Sequence, residues 1–268
     1  FGGCEDNPFG IIDHIHNRLM FQMGTSFAAP NALRKCVALR LRYPELRPLA
    51  IKAIVIHSAI NHGEDHLYKK HGYGALPSDL DRFVVCADNE MTVVYQGRLE
   101  PRKYVKALIP VPEELTGKIT IKATLCYATN IDSETPGNYT RSAIEIKLRP
   151  DFSKMTGDVN RPKSKTFITS SQYSSEANLR EYGKWETVMQ GEITLIADRS
   201  IEQPFFEMHY IAREGVDYNC VAGQIPYALV LTVKAPKTPN LYESVRTQFQ
   251  DKIRPLVEVG LPVEVRGL

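Results

Sequence analysis

The stretch Gly24-Thr25-Ser26-Phe27-Ala28-Ala29-Pro30, continued to Arg42, decides how the first third of the chain reads. After Ser26, apolar side chains recur at Phe27, Ala28, Ala29, Leu33, Cys36, Val37, Leu39 and Leu41. They occupy nearly every side of a 3.6-residue period, so the spacing predicts a helix over 26–42 that is buried rather than superficial. Gly24 allows close backbone approach, Thr25 is suited to capping, and Ser26 stands at the helix N-terminus. Free N–H groups and the positive end of the helix dipole gather at such a place, where a negative oxygen is stabilised. Pro30 cannot donate to the carbonyl of Ser26, which predicts a distorted first turn.

Outward from this helix, Tyr43-Pro44 is a stop and Pro48 to Ala59 a second apolar helix. Gly72-Tyr73-Gly74 marks a tight passage, and Pro77 to Val85 reads as a short third helix. Near residue 90 the texture changes. Thr92–Leu99, Lys103–Val111, Lys118–Tyr127, Ser142–Leu148, Glu186–Ile196, Phe205–Arg213 and Tyr227–Lys234 are short and rich in β-branched or aromatic residues. The polar run 151–183 reads as a long loop, and Leu241 to Ile253 as a terminal helix followed by a tail. Strand after strand without helices between them points to a β-sandwich or jelly roll.

Charge excludes some classes of partner. The net charge is +2, so neither nucleic acid nor anionic lipid is expected. Apolar runs such as Ala50 to Ile56 are too short to span a bilayer. The five cysteines, at 4, 36, 86, 126 and 220, are scattered and form no CxxC pair, so zinc is not expected and a reducing compartment is favoured.

The string Gly24 to Pro30 resembles the nucleophile motif of the subtilisin-like serine peptidases, in which Gly-Thr-Ser, a variable residue, Ala, a small residue and Pro open a central helix. A chance match at five positions in this chain is on the order of 10⁻⁴, too rare to dismiss. The order of pieces that follows, through Gly72-Tyr73-Gly74 to Val85, is also similar. The resemblance implies an α/β fold, the C-terminal portion of a subtilisin-like catalytic domain over 1–90. An all-β jelly-roll or sandwich domain over 91–236 and a helix with tail over 237–268 would follow. It implies Ser26 as the catalytic nucleophile of an endopeptidase, Gly24 and Thr25 as binding-site residues, a protein or peptide substrate, and no cofactor. The acidic pair Asp132 and Glu134 is too sparse to specify calcium. Some bacterial cytosolic members share this arrangement and work beside a partner ATPase, which makes a cytoplasmic location the expectation and secretion the alternative.

A serine nucleophile needs a base, and the base an orienting carboxylate. In the family both precede the serine by well over a hundred residues, and the oxyanion-hole asparagine is also expected upstream; here 25 residues precede Ser26. The triad therefore reads as incomplete, with Asp and His expected in a missing N-terminal half of the catalytic domain. Ile12-Asp13-His14-Ile15-His16 does not match the family's His-Gly-Thr pattern and reads as loop, and Asn7 is too near Ser26. His57 reads as a hydrogen-bonded core residue and His209 as structural; His62, His66 and His71 fit no strong metal motif. Two other readings stay open: an α/β-hydrolase, since Gly24 to Ala28 is one residue from Gly-x-Ser-x-Gly, and an inactive relic of the peptidase family whose β-domain is a binding module.

Overall fold

The computed structural model describes residues 9–22, 24–60, 72–112, 114–131, 140–151, 155–156, 161–162, 164–165, 167, 187–197, 201–212 and 223–253. Two antiparallel sheets stack as a sandwich. One contains β3 (Glu90–Leu99), β5 (Lys118–Tyr127), β9 (Val188–Ile196) and β11 (Ile225–Lys234) in the order β3-β11-β5-β9. The other contains β4 (Tyr104–Leu108), β6 (Ser142–Arg149) and β10 (Phe205–Ala212) in the order β4-β10-β6. Residues 155–156 and 161–162 form a small ladder, β7 and β8.

The strand pattern explains the stacking. Side chains alternate across a strand, so Ile119, Ile121, Ala123 and Leu125 share one face of β5, as Leu229, Leu231 and Val233 do on β11. These meet Ile144, Ile146 and Leu148 of β6 and Phe206 and Met208 of β10 in one buried core. The other face of β5 and β11 is also apolar: Cys126, Ala228 and Val230 form a second core with Ala50, Ile51, Ala53 and Ile54. Those four belong to α2 (Pro48–His57), which lies across β11 and β5. Burial on both faces is why Ala228 to Leu231 is a continuous apolar run. Each large aliphatic side chain buried in this way contributes about 1.5–3 kcal/mol.

This arrangement corrects the expected α/β fold. Such a catalytic portion needs parallel strands joined through helices. Every ladder between the named strands is antiparallel. Before residue 90 the only named strands are the hairpin β1 (Phe9–Asp13) and β2 (Arg18–Gln22). The apolar face of α2 finds its partner on the antiparallel sheet instead.

Two further expectations change. Helix α1 (Thr25–Arg42) forms, but only Lys35 and Leu39 are buried. Leu33, Val37 and Leu41 are 63%, 48% and 78% exposed. The helix touches the rest of the molecule along one narrow seam: Leu39 joins the second core, and the Lys35 ammonium donates to the carbonyls of Pro77 and Ser78. The third helix shrinks to a single 3-10 turn, Asp81–Phe83, and the terminal helix α3 spans Leu241–Gln248.

Candidate functional site at the start of the first helix

Gly24 is the N-cap of α1, with φ +150°, a backbone conformation that favours glycine. A Cβ built there would meet Phe27 Cδ2 at 3.8 Å, ordinary contact, so conformation rather than space selects the residue. The Gly24 carbonyl accepts from the N–H of Phe27 at 3.0 Å and of Ala28 at 3.1 Å. Thr25 is therefore the first helical residue rather than the cap, and Ser26 the second. The amides of Thr25 and Ser26 lead the helix, at the positive end of its dipole. Gly24, Thr25 and Ser26 are brought together and are all exposed. Among the described residues the Ser26 hydroxyl has no hydrogen-bond partner.

Of the histidines within the described residues, His16, His57 and His209 are engaged elsewhere, and His14 is exposed in the turn between β1 and β2. His16 Nδ1 is 2.7 Å from Asp13 Oδ2, and Asp13 Oδ1 accepts from the N–H of Ile15 at 3.0 Å. The His16 contact, first among the causes, holds the Asp13 carboxyl below its ordinary range. This Asp–His pair closes the tip of the β1–β2 hairpin. Residues Arg18 to Gln22 separate it from the start of α1, roughly 14 Å along a strand.

His57, the last residue of α2, is 7% exposed. Its Nδ1 meets Thr124 Oγ1 at 2.9 Å and its Nε2 meets Thr232 Oγ1 at 2.8 Å. Thr232 continues to Thr92 at 2.6 Å, which accepts from the Cys86 thiol at 3.2 Å. Burial, aided by the positive charges of Lys122 and Lys234, pushes the His57 pKa down to about 3. It is neutral and unavailable as a base for Ser26. His209 lies 3.3 Å from Glu207 and stacks on Tyr104. Burial raises Glu207, but the hydrogen bond and charge of Arg149 outweigh it and leave the carboxyl below its usual range. His62, His66, His71, Asn7, Asp132 and Glu134 lie outside the described residues. Among the described residues no cluster of three or more His, Cys, Asp or Glu could hold a metal ion. Burial raises the thiols of Cys36, Cys86 and Cys126, the last to about 11, so none is primed as a nucleophile. No described helix is long and apolar enough to cross a membrane.

A second feature has no counterpart in the sequence reading. A cleft of about 760 Å³ runs along β3, between the segment Phe83–Asp88 on one side and α3 on the other. Met91 to Gln96 all line it, which places the cleft at the free edge of the sheet rather than over a face. Its sequence signal, Thr92-Val93-Val94-Tyr95, marks a strand; which strand of a sheet is outermost is a property of topology.

No known family model matches the chain, and no curated protein sequence matches it. Among solved structures, it is similar to the VP2 subviral particle of infectious bursal disease virus at 12% identity and a TM-score of 0.30, over 59% of this chain and 35% of that one. It is also similar to an endospore appendage pilus protein of Bacillus at 6% identity and a TM-score of 0.20, over 56% and 95%. The chain thus spans about a third of the capsid protein's length. Likeness at these scores carries no argument about function.

Proposed function

We propose that Ser26 is the nucleophile of a serine endopeptidase whose base and carboxylate lie outside the described residues. The observation that supports it most is the presentation of this hydroxyl: exposed, in the first turn of α1, directly after a glycine at φ +150°. The Ser26 hydroxyl attacks the peptide carbonyl while a base takes its proton. The carbonyl oxygen becomes an oxyanion held by the leading amides of α1, the amine leaves with a proton, and water releases the acyl group. The uncovered stripe Leu33, Val37 and Leu41 supports the same reading, because a polypeptide carrying the base needs an apolar face to settle on.

The engagement of His16, His57 and His209 elsewhere favours a second reading, an inactive relic of the peptidase family whose sandwich is a binding module. The two separate cleanly. A fluorophosphonate probe on the protein should label Ser26, and Ser26→Ala should abolish labelling. Absence of labelling there, with the protein folded, would leave the relic.

A further inference from the structure

Helix α1 is held unevenly along its length. Its carboxy-terminal half is clamped. Leu39 and Tyr43, the C-cap, are buried in the second core, and Cys36 packs against it. The Lys35 ammonium, on a residue 6% exposed, donates to the carbonyls of Pro77 and Ser78. Arg42 meets Asp81 at 2.5 Å, so the short segment 77–81 grips the helix at two points. Lys35, Leu39 and Arg42 stand at i, i+4 and i+7, along one side of α1. Arg40 donates to the carbonyls of Pro44 and Leu46 and ties off the end.

The amino-terminal half is surrounded differently. No residue from Thr25 to Arg34 is buried, and Ser26, Ala28, Ala29, Pro30, Leu33 and Arg34 are exposed. The contact of Arg34 with Asn31 at 3.5 Å stays within the helix. Pro30 has no N–H for the Ser26 carbonyl, so a rung of the helical ladder is missing in the first turns. Apolar burial supplies most of the stability of a helix in a folded protein, and it is concentrated here in one half.

We propose that Lys35 is the fulcrum of a strut: residues 35–46 are fixed to the body of the molecule, while residues 25–34, carrying Ser26, pivot and open independently of the sandwich. Ser26 lies about 13 Å along the helix axis from Lys35. A tilt of about 10° at the fulcrum carries the hydroxyl through about 2 Å, and a displacement of about 1 Å already costs a reaction about a hundredfold. Lys35 is thus a positioning residue for Ser26, set at a distance from it. The catalytic consequence rests on the proposed role of Ser26; the pivot does not.

Amide hydrogen exchange of the 268-residue chain tests the pivot. Relative to intrinsic rates, the amides of Asn31–Arg34 should exchange at least about a hundredfold faster than those of Leu39–Arg42, and with little dependence on urea. Those of Leu39–Arg42 should stay within about tenfold of Ala228–Leu231, because they open with the sandwich. Lys35→Met keeps an unbranched chain and removes the ammonium. In that variant Leu39–Arg42 should part from Ala228–Leu231 and exchange at least about tenfold faster than wild type measured against the same strand. A general loss of stability would speed both together and leave their ratio unchanged, which would overturn the proposal. Uniform protection along α1 in the unaltered chain would also overturn it, and that measurement needs no variant to fold. Where a fluorophosphonate labels Ser26, Lys35→Met should slow labelling at least about tenfold, and an unchanged rate would defeat the positioning role. Absence of labelling in the folded wild type defeats the reading of Ser26 and leaves the exchange result to decide the pivot.

Discussion

His57 is the residue whose chemistry is most altered by its position. Both ring nitrogens are taken by threonine hydroxyls on two different strands, and the backbone carbonyl of the same residue accepts from the Lys122 ammonium at 2.7 Å. The folded pKa is about 3 against 6.5 for the free side chain, so the unfolded chain binds more protons throughout that window. The contribution to stability is therefore complete above pH 6.5 and is lost as pH falls toward 3. Between pH 7.5 and pH 5 the loss should be about 2 kcal/mol, read from urea unfolding at the two values. His57→Gln should remove most of that slope. Gly24 makes a different point. Gly24→Ala adds a methyl group that meets nothing closer than 3.8 Å, yet its backbone angle should cost about 1–2 kcal/mol. A fall in melting temperature without loss of the sandwich would show this.

At the scale of elements, α1 and α2 meet opposite fates. Helix α2 is sandwiched by the sheet below it, whereas α1 rests on a seam around Leu39. Leu39→Ala should destabilise the chain by about 2–5 kcal/mol, while Leu41→Gln should change it by less than about 0.5 kcal/mol, both measured by denaturant unfolding. The sequence states that both segments are helical: the stops at Tyr43-Pro44 and the proline at position 48 place their boundaries nearly where they occur. It does not state which apolar face finds a partner, because an all-round apolar helix has no periodicity to read. The β1–β2 hairpin was hidden for a different reason. Its Asp13 turn is written in a single carboxylate accepting two backbone amides, Ile15 at 3.0 Å and His16 at 3.4 Å, and not in a Gly or Asn-Gly pair. The start of α1 just after Gly24 was legible because its signal is local. The cleft was not, because it depends on which strand ends the sheet.

At the scale of the molecule, the strands after residue 90 were legible as a sandwich, since Lys118 to Lys122 alternates cleanly and the other segments are short and β-branched. What misled was the resemblance at Gly24 to Pro30, which implied an α/β portion before residue 90. Helix α2 covers the sandwich, and Cys126, Ala228 and Val230 belong to a core shared by both parts of the chain. Ala228→Asp would place an unpaired charge between α2 and the sheet and should cost more than about 3 kcal/mol. Because one strand serves two cores, helical and strand signals in circular dichroism should be lost together in a single transition. Strand β11 lies between β3 and β5, so both of its edges are hydrogen-bonded as well as both of its faces covered. Water can reach its amides only when the whole assembly opens. The slowest-exchanging protons of the protein should therefore be those of Ala228 to Leu231, and their rate becomes a direct gauge of global unfolding, against which every looser motion in the chain can be timed.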